Sequence, residues 1–407
     1  MLKSLLARAT RSFGLEIRRH RRVFSSDRVS LAPRTPERGS VLLAYILEPF
    51  LRRPGEPIST RHTHHSESVL IADAWRELGF HVDVIDYRNV GFRPEKHYDC
   101  FVSARTNLES LAARLNADCV HIAHLDTSHY AFNNAASYAR LRAAQDRCGV
   151  SLWESMRLVE TNRAIERAHF GVVLGNDVTA QTYRYAGVPL FPLDVPTAVP
   201  LPLAATKNFD AVRRRFLFLS SGGMLHKGLD LVLEAFRRMP DLHLTVCGPV
   251  SREERFAEVY RRELYDTPNI RTLDWIDVAG PDFAHVVQDC IGVVYPSCAE
   301  GQSGAVVTCL GPGLIPIVSR ESGLDVDGFG VTLADCSIGS LERAVRAVSE
   351  MAAEQLADGV RITRERSIER HSREAYARKY REIVRSILAT RSVSSQDSTK
   401  PDQTSSS

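Results

Sequence analysis

The chain has 407 residues, 44% of them hydrophobic and 25% charged, with a formal net charge of +3. That length and composition suit two globular domains of ordinary size, each with its own core, and the near-balanced charge gives no case for nucleic-acid binding. The eight cysteines form no C-x-x-C pair and several sit inside apolar runs, where Cys is a small core residue, so a reducing, cytoplasmic setting is expected.

Residues 1–39 stand apart, with ten Lys/Arg against three acids, interleaved with Leu2, Leu5, Leu6, Phe13, Ile17 and Phe24. Two readings stand for this extension: a basic amphipathic stretch peripheral to an anionic membrane at its cytoplasmic face, and a solvated arm that touches nothing. The same residues lack the apolar core and small-residue cleavage site of a signal peptide. No apolar run in the chain approaches the roughly 18–20 residues of a membrane span.

From residue 40 strand and helix patterns alternate. Strands are expected at 41–47, 81–87, 99–103, 118–123 and 171–174. Between them, Ser66 or Ser68 is placed to cap a helix carrying Ile71, Ala74, Trp75 and Leu78 at i, i+3, i+4 and i+7, and Gly79 to end it. Further helices fit 107–115, 132–147 and 161–169. Five prolines (189, 192, 196, 200 and 202) then crowd a stretch without periodicity, 188–212, which reads as an interdomain connection. The alternation restarts with strands at 215–220, 242–246, 270–276, 291–295 and 314–318, and helices at 229–236, 252–264, 283–289, 341–355 and 372–388. The Ser/Thr/Gln-rich residues 391–407 are expected to be disordered. The pattern predicts an α/β protein of two doubly wound, Rossmann-like domains facing a cleft. Its divisions are an extension (1–39), a first domain (40–200), a second (201–368), a closing helix (369–390) and a tail (391–407).

Ligands bind at the carboxyl ends of strands in such sheets, so polar residues just past strand ends are the candidates. In FLFLSSGGMLHKGLD, 216–230, a buried strand runs into Ser221, Gly222 and Gly223, and Lys227 stands at the start of the next helix. Close backbone approach, helix N–H groups and a full cation suit a diphosphate, although neither a Walker loop nor a dinucleotide fingerprint is present. The plainer reading is a glycine-rich turn with a solvated lysine. In YPSCAEGQSGAVVTC, 295–309, Glu300 ends a strand and Gln302, Ser303 and Gly304 open a helix. A carboxylate there accepts from sugar hydroxyls, or serves only as a helix cap. On the first-domain side, RHTHHSES, 61–68, brings His62, His64, His65 and Glu67 to the loop after the first strand. HIAHLDTSHY, 121–130, places His124 and Asp126 past the fourth. These suit an acceptor or phosphate facing the cleft, or ordinary loop polarity; no metal-ligand spacing is recognised among them. Arg105, Asn107 and Asn176 occupy similar strand-end positions. The single D-x-D triplet, Asp325-Val326-Asp327, lies in a late loop and is given no role.

The two second-domain motifs together resemble the nucleotide-binding half of GT-B glycosyltransferases, over about 212–320. The similarity is to the retaining family 4, also called glycosyl transferases group 1. KGLDLVLEAF at 227–236 matches its K-G-x-x-x-x-x-x-A-F pattern, PSCAEG at 296–301 its P-S-x-x-E-G, and GLIPIV at 313–318 echoes G-x-P-V-V with one extra residue. The resemblance implies transfer of a sugar from a nucleotide-diphosphate sugar to a glycan or lipid-linked acceptor in cell-surface polysaccharide biosynthesis. It implies retention of anomeric configuration, no cofactor and no metal. Lys227 is implied on the diphosphate, Glu300 on the donor sugar, His124 facing the reacting sugar, and the last helix packing back on the first domain. Two positions depart from the pattern. Gly222 stands where an arginine is usual, its charge left to Arg320 or a first-domain arginine, and Thr308 stands where a second Glu holds the ribose. A sugar-nucleotide epimerase of the same fold and a non-catalytic sugar-nucleotide-binding protein remain the alternatives.

Overall fold

The computed structural model describes residues 28–53, 55–60, 62–199 and 207–397. Two sheets organise the chain. The first contains β1 (Arg28–Leu31), β2 (Gly39–Tyr45), β3 (Phe80–Asp86), β4 (Cys100–Ala104), β5 (Val120–Leu125), β6 (Phe170–Leu174) and β7 (Leu190–Leu193), in the order β1-β3-β2-β4-β5-β6-β7. The second contains β8 (Arg215–Leu219), β9 (His243–Cys247), β10 (Ile270–Asp274), β11 (Gly292–Tyr295), β12 (Ile315–Val318) and β13 (Val331–Thr332), in the order β10-β9-β8-β11-β12-β13. Every pairing is parallel except β1 with β3. The near-continuous apolar runs explain this. Val41, Leu42 and Leu43 on β2, or Phe216, Leu217 and Phe218 on β8, are wholly buried, so both faces of each sheet are covered.

Strand order fixes where ligands can sit. In the first sheet the chain moves outward from β2 to β3, then returns to place β4 on the other side of β2. In the second it moves from β8 through β9 to β10, then returns to β11 beside β8. The crevices past β2/β4 and β8/β11 are therefore the two switch points. The loops carrying His62, Arg105, Lys227 and Glu300 all begin at these four strand ends.

Helix α1 (Thr63–Glu77) starts before the expected serine caps. His62 is its N-cap, its imidazole accepting from His64 N, whereas Ser66 Oγ donates to Thr63 O and Ser68 Oγ to Ile46 O. Helix α2 (Tyr130–Cys148) follows β5 in sequence but packs on the second half. Ala144 and Leu152 join the core of the second sheet, and Arg147 pairs with Asp230 and Glu234 on helix α3 (Leu229–Arg237). Two long helices close the chain, α5 (Ala353–His371) and α6 (Arg373–Asp397), after the short α4 (Gly304–Leu310). The last returns to the first sheet: Tyr376, Tyr380, Ile383, Val384 and Ile387 share a core with Trp75 and Val82. Trp75 Nε1 donates to Tyr380 OH at 3.3 Å.

Several expectations are corrected. The sheet begins at Arg28, within the stretch read as an extension, because Val29 and Leu31 alternate with polar residues as a half-covered edge strand antiparallel to β3. The proline-rich connection contains β7, where Pro192 is tolerated because β7 is an edge strand paired only to β6. The helix at 161–169 is only a short 3-10 turn, Ala164–Arg167. The helix at 341–355 is two, Ile338–Ser349 and α5. Helix α6 runs to Asp397, into the stretch expected to be disordered. Residues 1–27, the bulk of the basic extension, lie outside the described residues.

Candidate active site

A cleft of about 890 Å³ lies between the two switch points, lined from the first half by His62, His64, Arg105, His124 and Asp126 and from the second by Ser221, Lys227, Glu300, Gln302 and Thr308. Gly228 allows the second half of it. Its φ of 80° is left-handed, and a side-chain carbon there would come within 2.6 Å of Pro296 O, so the loop after β8 can press against the loop after β11. This contact brings Lys227 Nζ onto Glu300 Oε1 in an ion pair. Ser297 Oγ (2.9 Å) and Tyr295 OH (3.2 Å) donate to the same carboxylate oxygen. Burial pushes the Lys227 ammonium down to about 8, with Glu300 opposing and Arg157 adding to the fall. For Glu300, burial acts upward, but Lys227, His226 and Arg157 outweigh it and hold the carboxyl at about 2. At neutral pH both are charged.

His226 locks this arrangement. It is buried, its Nε2 lies 2.6 Å from Ala299 O and its Nδ1 2.9 Å from Ser137 Oγ of α2, and its backbone N–H donates to Ser155 O. Burial and the adjacent Lys227 push its imidazole down to about 3, so it is neutral. The loop before Glu300, the loop after β8 and the segment after α2 are thereby fastened to one side chain.

The glycine turn differs from expectation. Gly222 and Gly223 do not line the cleft. Gly223 N donates to Glu253 Oε1 (2.5 Å) and Met224 N to Glu253 Oε2 (3.0 Å), so the amides expected to meet a diphosphate already hold a carboxylate. Gln302 lines the cleft but its amide is committed: Oε1 accepts from Val195 N (2.6 Å), and Nε2 donates to Asp194 (2.8 Å) and Gly323 O (3.2 Å). Ser303 caps α4, accepting from Val306 N, and Gly304 opens that helix. Thr308 Oγ1 donates to Gly304 O at 2.8 Å, which leaves its lone pairs facing the cleft but not its proton.

The first-half wall is a charge network on a buried carboxylate. Glu67 is fully buried. Its Oε1 lies 2.8 Å from His124 Nε2 and accepts from Tyr376 OH (3.1 Å), and its Oε2 lies 2.9 Å from His64 Nδ1 and accepts from Tyr45 OH (3.0 Å). Burial acts to raise its pKa, but His124 and His64 hold it well below the carboxylate range. His64 Nε2 is 3.4 Å from Asp126, which also takes Arg105 at 3.1 Å. Arg105 adopts φ 61°, an uncommon conformation for a residue with a Cβ, and its guanidinium lies 4.7 Å over the Tyr87 ring. His62 packs against His64 in a tilted pair, ring centroids 4.1 Å apart, and burial pushes it down to about 2. His124 is buried at the wall, and its Nδ1 has no hydrogen-bond partner among the described residues.

Two first-half candidates are not at the surface of the cleft. Glu67 lies beneath it, as the anchor of His64 and His124: it shares a helix face with Thr63 and His64 but sits one turn further along, where that face is buried. His65, one residue on, is turned away from the cleft by the same geometry. Asn107 and Asn176 are also internal. Asn107 Nδ2 reaches Asp86 O and Asn89 O, and Asn176 caps the helix Asp177–Gln181 and donates to Arg320 O. Residues with no sequence signal complete the site: His226, Tyr45, Tyr295, Tyr376 and Arg157. All but Tyr295, which bonds Glu300 five residues on, are placed by contacts between segments far apart in sequence.

Among solved structures, the chain is similar to Anabaena Alr3699/HepE in complex with UDP and glucose, at 11% identity and a TM-score of 0.55 over 87% of this chain and 100% of that one. Sucrose-phosphate synthase from Thermosynechococcus elongatus aligns at 14% identity and a TM-score of 0.62, again over 87% of this chain and 100% of that one. The N-terminal domain of Candida albicans trehalose-6-phosphate phosphatase aligns at 9% identity and a TM-score of 0.55, over 87% and 97%. No protein-family model and no curated protein matches the chain. At such identities the likeness establishes the fold, which agrees with the two switch-point sheets: the chain has the GT-B architecture, two Rossmann-like domains facing a cleft.

Proposed function

We propose that the protein is a glycosyltransferase that moves a sugar from a nucleotide-diphosphate sugar to a glycan or lipid-linked acceptor, with retention and without a metal, in cell-surface polysaccharide biosynthesis. The observation that carries this reading is the ionised Lys227–Glu300 pair at the β8/β11 switch point, facing the histidine-rich wall past β2/β4. Glu300, an acceptor only, takes the donor sugar's hydroxyls. Lys227 keeps two further N–H donors for the diphosphate, alongside Ser221. As the glycosidic bond to the leaving phosphate breaks, negative charge grows on the diphosphate, and a cation already fixed in the cleft stabilises it without reorganisation. His124, buried at the wall and held in orientation by Glu67 through Nε2, lies next to the reacting sugar. His62, His64 and Asp126 face the acceptor. Thr308 accepts from the ribose.

The HepE complex holds UDP and glucose together, which supports a uridine nucleotide as the first donor to try. Transfer or donor hydrolysis by Lys227→Ala and Glu300→Ala proteins tests the site: turnover at the wild-type rate in both would reject it. Conversion of a free sugar nucleotide into its epimer without any acceptor would instead indicate the epimerase reading. Transfer is expected to persist in EDTA. No helix among the described residues is long and apolar enough to cross a membrane. A lipid-linked acceptor fits a peripheral contact through the basic residues 1–27, and removing those residues, while keeping β1 from Arg28, should abolish flotation on anionic liposomes.

A further inference from the structure

Among the described residues three arginines line the cleft, and two of them are neutralised: Arg88 by Asp86 at 2.8 Å and Arg105 by Asp126 at 3.1 Å. The third, Arg157, has no carboxylate within ion-pair distance and no side-chain hydrogen-bond partner among the described residues. Its backbone is nonetheless held in place, and its side chain is exposed to the cleft. Its carbonyl accepts from Asn133 Nδ2 at 2.7 Å on α2, and Ser155, two residues earlier, accepts from His226 N. Its Cγ and Cδ lie over Gly223, so closely that a side-chain carbon at 223 would stand 2.5 to 2.7 Å from them. Although Arg157 belongs to the first half of the sequence, α2 and the segment after it are packed on the second, so it stands on the Lys227 side. It acts on groups from both walls, lowering Lys227 and His62 and helping to hold Glu300 down.

Two like charges brought to one wall, only one of them matched by a carboxylate, leave the subsite with a surplus positive charge. A planar guanidinium beside an ammonium is suited to phosphate oxygens, which it can take in a bidentate fork. Position 222 is glycine and the amides of Gly223 and Met224 are held by Glu253, so neither the turn's side chains nor those backbone donors supply this charge. We propose that Arg157 is a substrate-binding residue, the second cation of the donor's diphosphate subsite, completing with Lys227 an anion site built from both halves of the chain. This deepens the glycosyltransferase reading and rests on it.

The test compares nucleoside diphosphates with the matching monophosphates (uridine, guanosine and adenosine) by calorimetry, in wild type, Arg157→Gln, Arg157→Lys and Lys227→Gln, with thermal unfolding as the folding control. The expected result is that Arg157→Gln weakens diphosphate binding by about ten- to hundredfold, the weight of one charge-assisted hydrogen bond, while monophosphate binding changes far less. Arg157→Lys should restore part of the difference. If Arg157→Gln keeps the wild-type preference for diphosphate while Lys227→Gln loses it, the Arg157 assignment falls and the donor reading stands. If wild type shows no preference for any diphosphate, both fall. A merely structural Arg157 would lower both affinities and the unfolding temperature together, and that result also overturns the proposal.

Discussion

Lys227 and Glu300 neutralise each other across the end of the second sheet, yet burial leaves the lysine only a little above neutrality, at about 8. Diphosphate affinity should therefore be full below pH 8 and fall by up to tenfold per pH unit above it, as the free protein loses that proton. Lys227→Arg should remove this alkaline limb, and calorimetry between pH 7 and 9.5 reads it. Glu300 has the opposite stability linkage: its folded pKa of about 2 lies below the ordinary 4.5, so its contribution is complete above pH 4.5 and is lost as pH falls toward 2. Glu67 acts in the same direction. Glu67→Gln should cost about 3 kcal/mol, since His64 and His124 lose a buried anion, and should flatten acid unfolding below pH 4.5. The strand-end positions of Lys227 and Glu300 are legible in the sequence because each follows an apolar strand in a short local motif. Glu67, His226 and Arg157 were assigned wrongly or missed, since their roles depend on which way a helix faces and on contacts such as His226 with Ser137, which no local pattern encodes.

At the scale of elements, long apolar runs make nearly all parallel strands readable, while of the four sheet edges only β10 is. β1 and β7 are half-covered, so their apolar content is diluted by Arg28 and Pro192, and the pattern resembles a loop. Helix α5 is hard to read because its second half, RITRERSIERH (361–371), is largely charged, and the helix as a whole carries only a thin apolar stripe, Leu356 and Val360 among it. The turn at 221–224 is held by a long-range carboxylate, so Glu253→Ala should destabilise the protein by about 1–3 kcal/mol through two unpaired amides. Denaturant unfolding checks this. The same substitution should also increase proteolytic cleavage in that turn.

For the whole molecule, α6 joins the two halves. It leaves the second half after His371, whose Nδ1 lies 2.9 Å from Val195 O, and inserts Tyr376 and Tyr380 into the first core. Tyr376 reaches Glu67, the carboxylate that orients His64 and His124, so the seating of the last helix and the shape of the acceptor wall are one arrangement. Tyr380→Ala should cost about 3–5 kcal/mol of stability, as for other large buried side chains, whereas Tyr376→Phe should preserve packing yet reduce turnover more than donor affinity. The central claim is that a nucleotide-diphosphate sugar binds in the cleft at Lys227 and Glu300. A thermal-shift screen of wild type, Lys227→Ala and Glu300→Ala against uridine-, guanosine- and adenosine-diphosphate sugars tests it most directly, because a ligand at a hundred times its Kd stabilises the folded state by about 2.7 kcal/mol. The account predicts that at least one donor raises the wild-type unfolding temperature by several degrees and leaves both variants unmoved. Equal shifts in all three proteins, or none in wild type, would contradict it.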